Sequence, residues 1–188
     1  MARKVSRIGT AAVLDVETTG FSPEFDEIIE LALTLFQYDR NTGHVLGTLE
    51  QYSGVRDPSC PIPRAVSAIH GIRRADLRGL RLNYRKVRAM VCQAEFLVAH
   101  YAVFDRGFVE RLMPSFRNAT WLCSRDGIDW CAKGFNSRSL ENLAAAHQIV
   151  NPSPHRAAGD VATLLALLSQ KPSCRKTYLY ELIRGAEV

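Results

Sequence analysis

Two acidic residues, Asp15 and Glu17, follow directly on the apolar run Ala-Ala-Val-Leu at residues 11–14. Such a run is typical of a buried strand, and side chains two positions apart on a strand point to the same face. The carboxyl end of a strand is also where open α/β sheets place their ligands. Two carboxylates this close repel each other unless a cation lies between them, so the spacing indicates a hard ion such as Mg²⁺ or Mn²⁺. The same pattern also arises where acidic residues merely solvate a strand end.

Two more acidic residues, Asp105 and Asp160, have apolar residues at helical spacing, three, four and seven positions away. Both are therefore expected on the core-facing sides of helices, where a carboxylate is costly unless it is paired or binds a metal. A buried arginine or a backbone cap could satisfy each of them singly. Four such carboxylates together predict a metal site. The apolar neighbours are Phe108, Val109 and Leu112 for the first, and Ala157, Leu164 and Leu167 for the second.

His155 is a candidate general base. It follows the segment Asn-Pro-Ser-Pro at residues 151–154, whose two prolines restrict the backbone just before the helix that carries Asp160. Histidine can take a proton from water at neutral pH. A single histidine at a helix start is more often structural, and it is the acidic neighbourhood that favours a catalytic role.

The elements that must position these residues alternate between strands and helices after an initial strand meander, which predicts an α/β domain with a mixed sheet. The segment 27–32 also has helical propensity, but its position in the meander favours a strand. A serine at position 139 is a candidate helix cap. We expect strands at about 11–15, 28–38, 45–52, 96–99 and 121–123, and helices within 64–91 and at about 104–112, 139–146, 156–169 and 172–185.

Length and composition indicate one ordinary globular domain. The chain has 188 residues with 47% hydrophobic and 23% charged residues, which is typical of a folded protein and not of a disordered chain. We expect one domain over residues 1–188, with a core at about 11–170. The absence of any apolar stretch long enough to span a bilayer leads us to expect a cytoplasmic protein without membrane contact. The net charge of +5 is compatible with a polyanionic partner.

The five cysteines are odd in number and form no C-x-x-C pair, which argues against a disulfide framework and a structural zinc site. We expect reduced, largely buried thiols. They are Cys60, Cys92, Cys123, Cys131 and Cys174.

Three motifs in this order resemble those of the DnaQ-like, DEDDh-type 3′–5′ exonucleases, a family that includes the proofreading epsilon subunit of bacterial DNA polymerase III. They are Asp-Val-Glu-Thr-Thr-Gly at 15–20, His-Tyr-Ala-Val-Phe-Asp at 100–105 and His-Arg-Ala-Ala-Gly-Asp at 155–160. The segments Ile-Ile-Glu-Leu at 28–31 and Ile-His-Gly-Ile at 69–72 also match. The resemblance extends from about residue 11 to residue 168.

This resemblance implies a ribonuclease H-like fold, in which a five-stranded mixed sheet with an antiparallel second strand is flanked by helices. It further implies two divalent ions, Mg²⁺ or Mn²⁺. Asp15, Glu17 and Asp160 would hold one ion, and Asp15 and Asp105 the other. His155 would act as the base, and the product would be a nucleoside 5′-monophosphate. Two ions about 3.5–4 Å apart suit an in-line displacement at phosphorus, which agrees with the chemistry inferred from the carboxylates.

The resemblance also implies a pocket for the 3′-terminal nucleotide. Aromatic residues there could stack on a base without sequence preference. Tyr101 stands where the family usually has asparagine, and the family's Asp-Thr pair is missing near residues 123–124. The residues expected to contact substrate are Thr18, Thr19, Phe21, His70, Tyr101 and Phe104.

Seven basic residues crowd into positions 73–88 and could guide a phosphate backbone, although such a run is usually a solvated face. Four of them have helix-face spacing, which Gly79 could interrupt. They are Arg73, Arg74, Arg78, Arg81, Arg85, Lys86 and Arg88, and the four at helix-face spacing are Arg78, Arg81, Arg85 and Arg88.

We therefore expect a metal-dependent 3′–5′ exonuclease whose substrate is the 3′ end of single-stranded DNA. One alternative is an RNA or short-oligonucleotide exonuclease of the same family, since the motifs specify phosphodiester hydrolysis and not the sugar. Another is a non-catalytic module that binds nucleic acid or docks on a DNA polymerase. The complete set of five catalytic residue types weighs against the second alternative.

Overall fold

A five-stranded mixed sheet forms the centre of the molecule. In the computed structural model, which describes residues 6–172 and 175–186, the strand order is β3-β2-β1-β4-β5. β2 runs antiparallel to β1 and β3, while β4 and β5 run parallel to β1. The predicted mixed sheet with an antiparallel second strand is confirmed. The strands are β1 (Ile8–Thr18), β2 (Ile28–Asp39), β3 (Val45–Val55), β4 (Leu97–Ala99) and β5 (Trp121–Cys123).

Helices cover both faces of this sheet. The even-numbered side chains of β1 pack with α2 and α3, whereas the odd-numbered side chains Ala11 and Val13 pack with α4, α5 and α6. Asp15 and Glu17 continue the odd-numbered row, so they point to the face that α5 covers. The helices are α1 (Arg64–His70), α2 (Tyr84–Val91), α3 (Ala102–Leu112), α4 (Leu140–Ala146), α5 (Ala157–Leu168) and α6 (Tyr178–Gly185).

Segment 28–39 forms a strand and not the helix that propensity alone allowed. Its side chains are buried at every position except Gln37, because they contact helices on both faces of the sheet. A central strand of this kind reads as a continuous apolar run, so periodicity alone could not separate it from a buried helix. The predicted helix cap is also present, since the Ser139 hydroxyl accepts a hydrogen bond from the Asn142 N–H at 3.3 Å.

Gly79 interrupts the basic segment 73–88, as the sequence allowed. It adopts a left-handed φ of 72° and separates a 3₁₀ turn at Arg74–Leu77 from α2. The four cysteines that the structure describes are free thiols as expected, but none is fully buried. Cys174 lies outside the described residues. Among the described residues, no helix has the length and apolar character that crossing a bilayer requires.

The helix α6 begins later than predicted, at Tyr178, and packs against the turn between β2 and β3. The Thr177 N–H donates to the Thr42 carbonyl at 3.0 Å. Gly43 has a φ of 71°, and a Cβ atom there would collide with the Thr177 hydroxyl and the Tyr180 backbone nitrogen. Glycine at this position is therefore required both by the backbone conformation and by the close approach of α6.

We predict that Gly43→Ala destabilises the protein more than Gly134→Ala does. Gly134 also has a left-handed φ, 87°, but its Cβ position is open. Gly134→Ala should therefore lower the free energy of unfolding by about 1–2 kcal/mol through backbone strain alone. Gly43→Ala adds a collision, which costs roughly 1–3 kcal/mol more. Urea denaturation of both variants measures the difference, and equal losses would show that α6 does not constrain this turn.

Candidate active site

Three carboxylates converge where β1 meets α5. Asp15, Glu17 and Asp160 each offer one oxygen, and these three atoms lie within 4.8 Å of one another. The strand places the first two on one face, and α5 brings the third over that face. The structure thus brings together three of the residues that the sequence analysis singled out.

Asp105 approaches the same place from the other side of β1. Its Oδ1 accepts a hydrogen bond from the Val16 N–H at 3.2 Å. β4 pairs with β1 only beside Ala12 and Val13, so the N–H of Val16 lies beyond the end of β4 and is free to take this side-chain acceptor. The bond fixes the buried Asp105 carboxylate against the strand that carries Asp15 and Glu17.

The four carboxylates have raised pKa values. Burial is the main cause for each of them. For Asp15, the charges of Asp105 and Glu17 raise the pKa further. Burial, followed by the charges of Asp160 and Glu30, raises the pKa of Glu17 to about 8. Burial raises the pKa of Asp105 to about 7.

This electrostatic pattern is typical of a cation site. Like charges that share a buried space disfavour ionisation, and a bound divalent ion relieves both the burial cost and the repulsion. The donors are all carboxylate oxygens, which are the ligands that Mg²⁺ and Mn²⁺ prefer. The residues present therefore fit a hard divalent cation.

His155 lines the same cavity as the four carboxylates. It is exposed, and its backbone adopts a left-handed φ of 57°, which is uncommon for a residue other than glycine. The cavity encloses about 460 Å³, within the range of small-molecule sites. The predicted catalytic residues thus meet in one cavity that opens to solvent at His155.

Asn151 holds Asp160 in place. Its Nδ2 donates to the Asp160 Oδ1 at 2.6 Å, and its Oδ1 accepts from the Ser153 N–H at 3.0 Å. A Cβ atom on Gly159 would collide with the Ser153 carbonyl oxygen and approach the Asn151 side chain. Glycine at 159 therefore allows segment 151–154 to pack against the first turn of α5.

Glu30 and Arg156 are polar residues of this region to which the sequence analysis assigned no role. The Glu30 carboxylate is almost fully buried and accepts two hydrogen bonds from the Arg156 guanidinium. Glu30 also pairs directly with Glu17 in the β1–β2 register. An acidic residue between the apolar residues Ile29 and Leu31 of a central strand was the signal in the sequence.

Two of the residues expected to contact substrate line the cavity. Tyr101 is 46% exposed, and the Arg125 guanidinium lies 4.5 Å from the centre of its ring. Phe104 also lines the cavity and packs on Phe108 with a ring-centre distance of 4.9 Å. An aromatic wall therefore stands beside the carboxylates.

The other four expected contact residues lie outside this lining. The Thr18 hydroxyl donates to the Gly20 carbonyl at 2.5 Å, and the Thr19 hydroxyl donates to Asp26 at 3.1 Å, so both hydroxyls hold the turn after β1. Phe21 is 74% exposed on that turn. His70 is buried, and its Nδ1 accepts from the Ile72 N–H at 3.0 Å. Burial lowers the pKa of His70.

The five-stranded mixed sheet flanked by helices is a ribonuclease H-like fold. A family model described as "Exonuclease" (RNase_T) matches residues 12–168, which include all five predicted catalytic positions. The chain therefore belongs to this exonuclease family, in the DnaQ-like group that its motifs indicated.

The chain is also similar to curated proteins, and its fold is similar to that of solved structures. The chain is 32% identical over 117 residues to Ribonuclease T of Shewanella baltica (strain OS155), an alignment that covers 53% of this chain and 50% of that protein. The chain thus spans about half the length of the curated relatives that it matches. E. coli Exonuclease I bound to a dT13 oligonucleotide has the same fold, with a TM-score of 0.69 and 19% identity over 86% of this chain and 40% of that chain. Exonuclease X bound to 5′ overhanging duplex DNA has a TM-score of 0.62 and 20% identity over 90% of this chain and 99% of that chain.

We predict that the metal-free protein loses stability as the pH rises from about 4.5 to about 8. Glu17 has a pKa of about 8 in the folded chain and an ordinary value of 4.5 in the unfolded chain, so the folded state binds more protons in this window. Each such group lowers the free energy of unfolding by about 1.4 kcal/mol per pH unit. Thermal unfolding in a chelator across this pH range measures the slope.

Glu17→Gln provides the control for that slope. The amide cannot ionise, so this variant should show a shallower decrease and should be more stable than the wild type at pH 8 in chelator. Identical slopes for the two proteins would contradict the raised pKa of Glu17.

Proposed function

We propose that this protein is a divalent-metal-dependent 3′–5′ exonuclease that removes nucleoside 5′-monophosphates from the 3′ end of single-stranded DNA. The observation that carries the proposal is the convergence of Asp15, Glu17 and Asp160, whose ligand oxygens lie within 4.8 Å of one another. Asp105 and His155 line the same cavity. Membership of the exonuclease family supports the reaction class.

In this proposal the four carboxylates hold two Mg²⁺ or Mn²⁺ ions. Asp15, Glu17 and Asp160 hold one ion, and Asp15 and Asp105 hold the other. When bound, such ions supply an activated water nucleophile and stabilise the charge that develops on the phosphate oxygens. Raised pKa values do not prevent this, because cation binding favours the ionised form of each carboxylate.

His155 is the proposed general base and accepts the proton of the attacking water. Its exposure at the mouth of the cavity lets it pass that proton to solvent. Its position on the segment next to Asp160 places it beside the carboxylates that hold the proposed ions. The cavity wall formed by Tyr101 and Phe104 is the proposed contact for the 3′-terminal nucleotide. The exposed Phe21 is a further proposed stacking contact. We propose that Thr18, Thr19 and His70 support the turn after β1 that carries it.

RNA is the second candidate substrate. The similarity of this chain to proteins named Ribonuclease T favours it. The two candidates differ at the 2′ position of the sugar, where RNA carries a hydroxyl that can donate and accept hydrogen bonds. The reaction and the catalytic residues would be the same for both.

The experiment that separates these substrates uses 5′-labelled single-stranded DNA and RNA of matched sequence, each with Mg²⁺, with Mn²⁺ and with chelator. A ladder that shortens from the 3′ end only when metal is present supports the exonuclease. The faster substrate then identifies the sugar. If the protein binds the labelled DNA and RNA but cleaves neither, the result would favour a non-catalytic nucleic-acid-binding module instead.

Asp15→Ala should abolish cleavage while the fold is retained, because this carboxylate is the one shared by both proposed ions. Rates of ladder formation and the far-ultraviolet circular dichroism spectrum test the two halves of the prediction. Glu50→Ala is the matched control, since this carboxylate lies on β3 and pairs with Lys86 away from the cavity. Cleavage at the wild-type rate by Asp15→Ala would refute the assigned site.

His155→Ala should reduce kcat by roughly 10²–10⁴-fold, as expected for the loss of a general base. The exposed imidazole makes little packing, so the melting temperature should change by less than it does for Gly43→Ala. Single-turnover rates with saturating metal measure the effect. A rate equal to that of the wild type would remove His155 from the mechanism.

A further inference from the structure

We propose that Glu30 and Arg156 form a positioning clamp that holds His155 and Asp160 in their working geometry. The inference deepens the proposed function and rests on it. Neither residue lines the cavity, so the clamp acts through the residues that it holds and not through contact with substrate.

The clamp connects the second strand of the sheet to the first residues of α5. The Arg156 Nε donates to the Glu30 Oε2 at 3.0 Å, and one Arg156 terminal nitrogen donates to the Oε1 at 2.7 Å. The Ala157 N–H donates to the same Oε2 at 3.1 Å. One carboxylate therefore accepts three hydrogen bonds from two consecutive residues, which fixes both the side chain and the backbone at this point.

Glu30 takes the place of a helix cap for α5. Arg156 is the residue before the first turn, and its own side chain makes no capping hydrogen bond. The N-terminus of a helix leaves backbone N–H groups without partners and favours a nearby negative charge. A carboxylate from β2 supplies both, so the start of α5 is fixed to the sheet and not to its own chain.

His155 directly precedes the clamp and has a left-handed φ of 57°. A non-glycine residue keeps this conformation only when its surroundings determine it. On the other side of the histidine, Asn151 bonds to Asp160. The histidine backbone is thus held between two anchored points, and Arg156 is the nearer of the two.

The clamp also balances charge next to the carboxylates. Glu30 lies beside Glu17 in the strand register, and its side chain is 3% exposed. Without Arg156, the buried Glu30 carboxylate would have no cationic partner, and it would lie next to a site that already holds four acidic groups. Removing one partner of a buried pair is costly because the other charge is left uncompensated.

A matched control exists at the opposite end of the sheet. Both terminal nitrogens of Arg40 bond to the two carboxylate oxygens of Glu95, which also accepts from the Thr10 N–H at 3.2 Å. This pair repeats the pattern of a two-point arginine contact plus a backbone donor, near the start of β1 and away from the cavity. The Glu95 side chain is 37% exposed and that of Glu30 only 3%, so Arg40→Gln reports what the loss of a two-point contact does to stability, without the cost of a buried unpaired carboxylate.

The test compares Arg156→Gln, Glu30→Gln and Arg40→Gln by steady-state cleavage with saturating metal. We expect each clamp variant to lower kcat by about 10–100-fold, as is typical for residues that orient metal ligands, with KM changed less than about threefold. We expect Arg40→Gln to retain the wild-type kcat even where its melting temperature falls. Clamp variants that lose melting temperature but keep kcat would overturn the proposal, and so would a change confined to KM.

A second measurement does not depend on turnover. Binding of Mn²⁺ to the substrate-free protein, followed by the electron paramagnetic resonance signal of free Mn²⁺, should weaken by about tenfold in both clamp variants because Asp160 is displaced. Arg40→Gln should bind Mn²⁺ as the wild type does. If Arg156→Gln does not fold, Glu30→Gln, whose amide keeps the shape of the carboxylate, decides the question in both assays.

The double variant Glu30→Gln/Arg156→Gln tests whether the two residues act as a unit. Its kcat should be no lower than that of the less active single variant, because the effects of removing two partners of one contact do not add. Fully additive losses would overturn the clamp. Wild type and Asp15→Ala run alongside: equal rates for these two would refute the proposed function, whereas an inactive Asp15→Ala beside a fully active Arg156→Gln would refute only the clamp.

Discussion

Electrostatic repulsion among buried carboxylates is the constraint that organises this molecule. Four acidic side chains face one cavity; burial raises the pKa of each, and the charges of neighbouring carboxylates raise those of Asp15 and Glu17 further. Such an arrangement opposes folding in the absence of a cation. The rest of the domain must therefore supply enough apolar burial and hydrogen bonding to hold these groups where a cation can use them.

The two faces of the sheet contribute different acidic residues to the site, and each face has an apolar core that ends where those residues begin. The core on the α2–α3 face is apolar as far as Val16, and Asp105 enters only beyond the end of β4, where the Val16 N–H is free to receive it. On the other face, the apolar row of β1 gives way to Asp15 and Glu17 at the point where α5 begins. The site thus lies at the end of β1 where the apolar packing of both faces gives way to acidic residues.

Much of this arrangement could be predicted from sequence because its determinants are local. The alternation along β1 placed Asp15 and Glu17 on one face, and helical spacing placed Asp105 and Asp160 on core-facing sides. The resemblance carried by the three motifs supplied the five-stranded mixed sheet with its antiparallel second strand, which no local pattern contains.

The supporting contacts could not be predicted in the same way. Glu30 and Arg156 are 126 positions apart, and only the folded sheet brings them together. The helix-face spacing within residues 73–88 could not decide whether a helix continues through Gly79, and the left-handed φ of that glycine divides the segment. The prediction of buried cysteines was wrong, because the small apolar character of a thiol does not determine where in the fold it lies.

The same contact pattern serves two purposes in this fold. Near the start of β1, the Arg40–Glu95 pair ties the turn after β2 to the segment before β4, and neither partner has a residue of positive φ directly beside it. At the end of the sheet that carries the cavity, Arg156 bonds to Glu30, and the residue directly before Arg156 is His155 with its left-handed backbone. Strain at a single position persists only where both neighbours are fixed. The Arg40–Glu95 pair therefore only stabilises the fold, whereas the Arg156–Glu30 pair is proposed to position a base. The two pairs differ because only Arg156 directly follows a residue with a strained backbone.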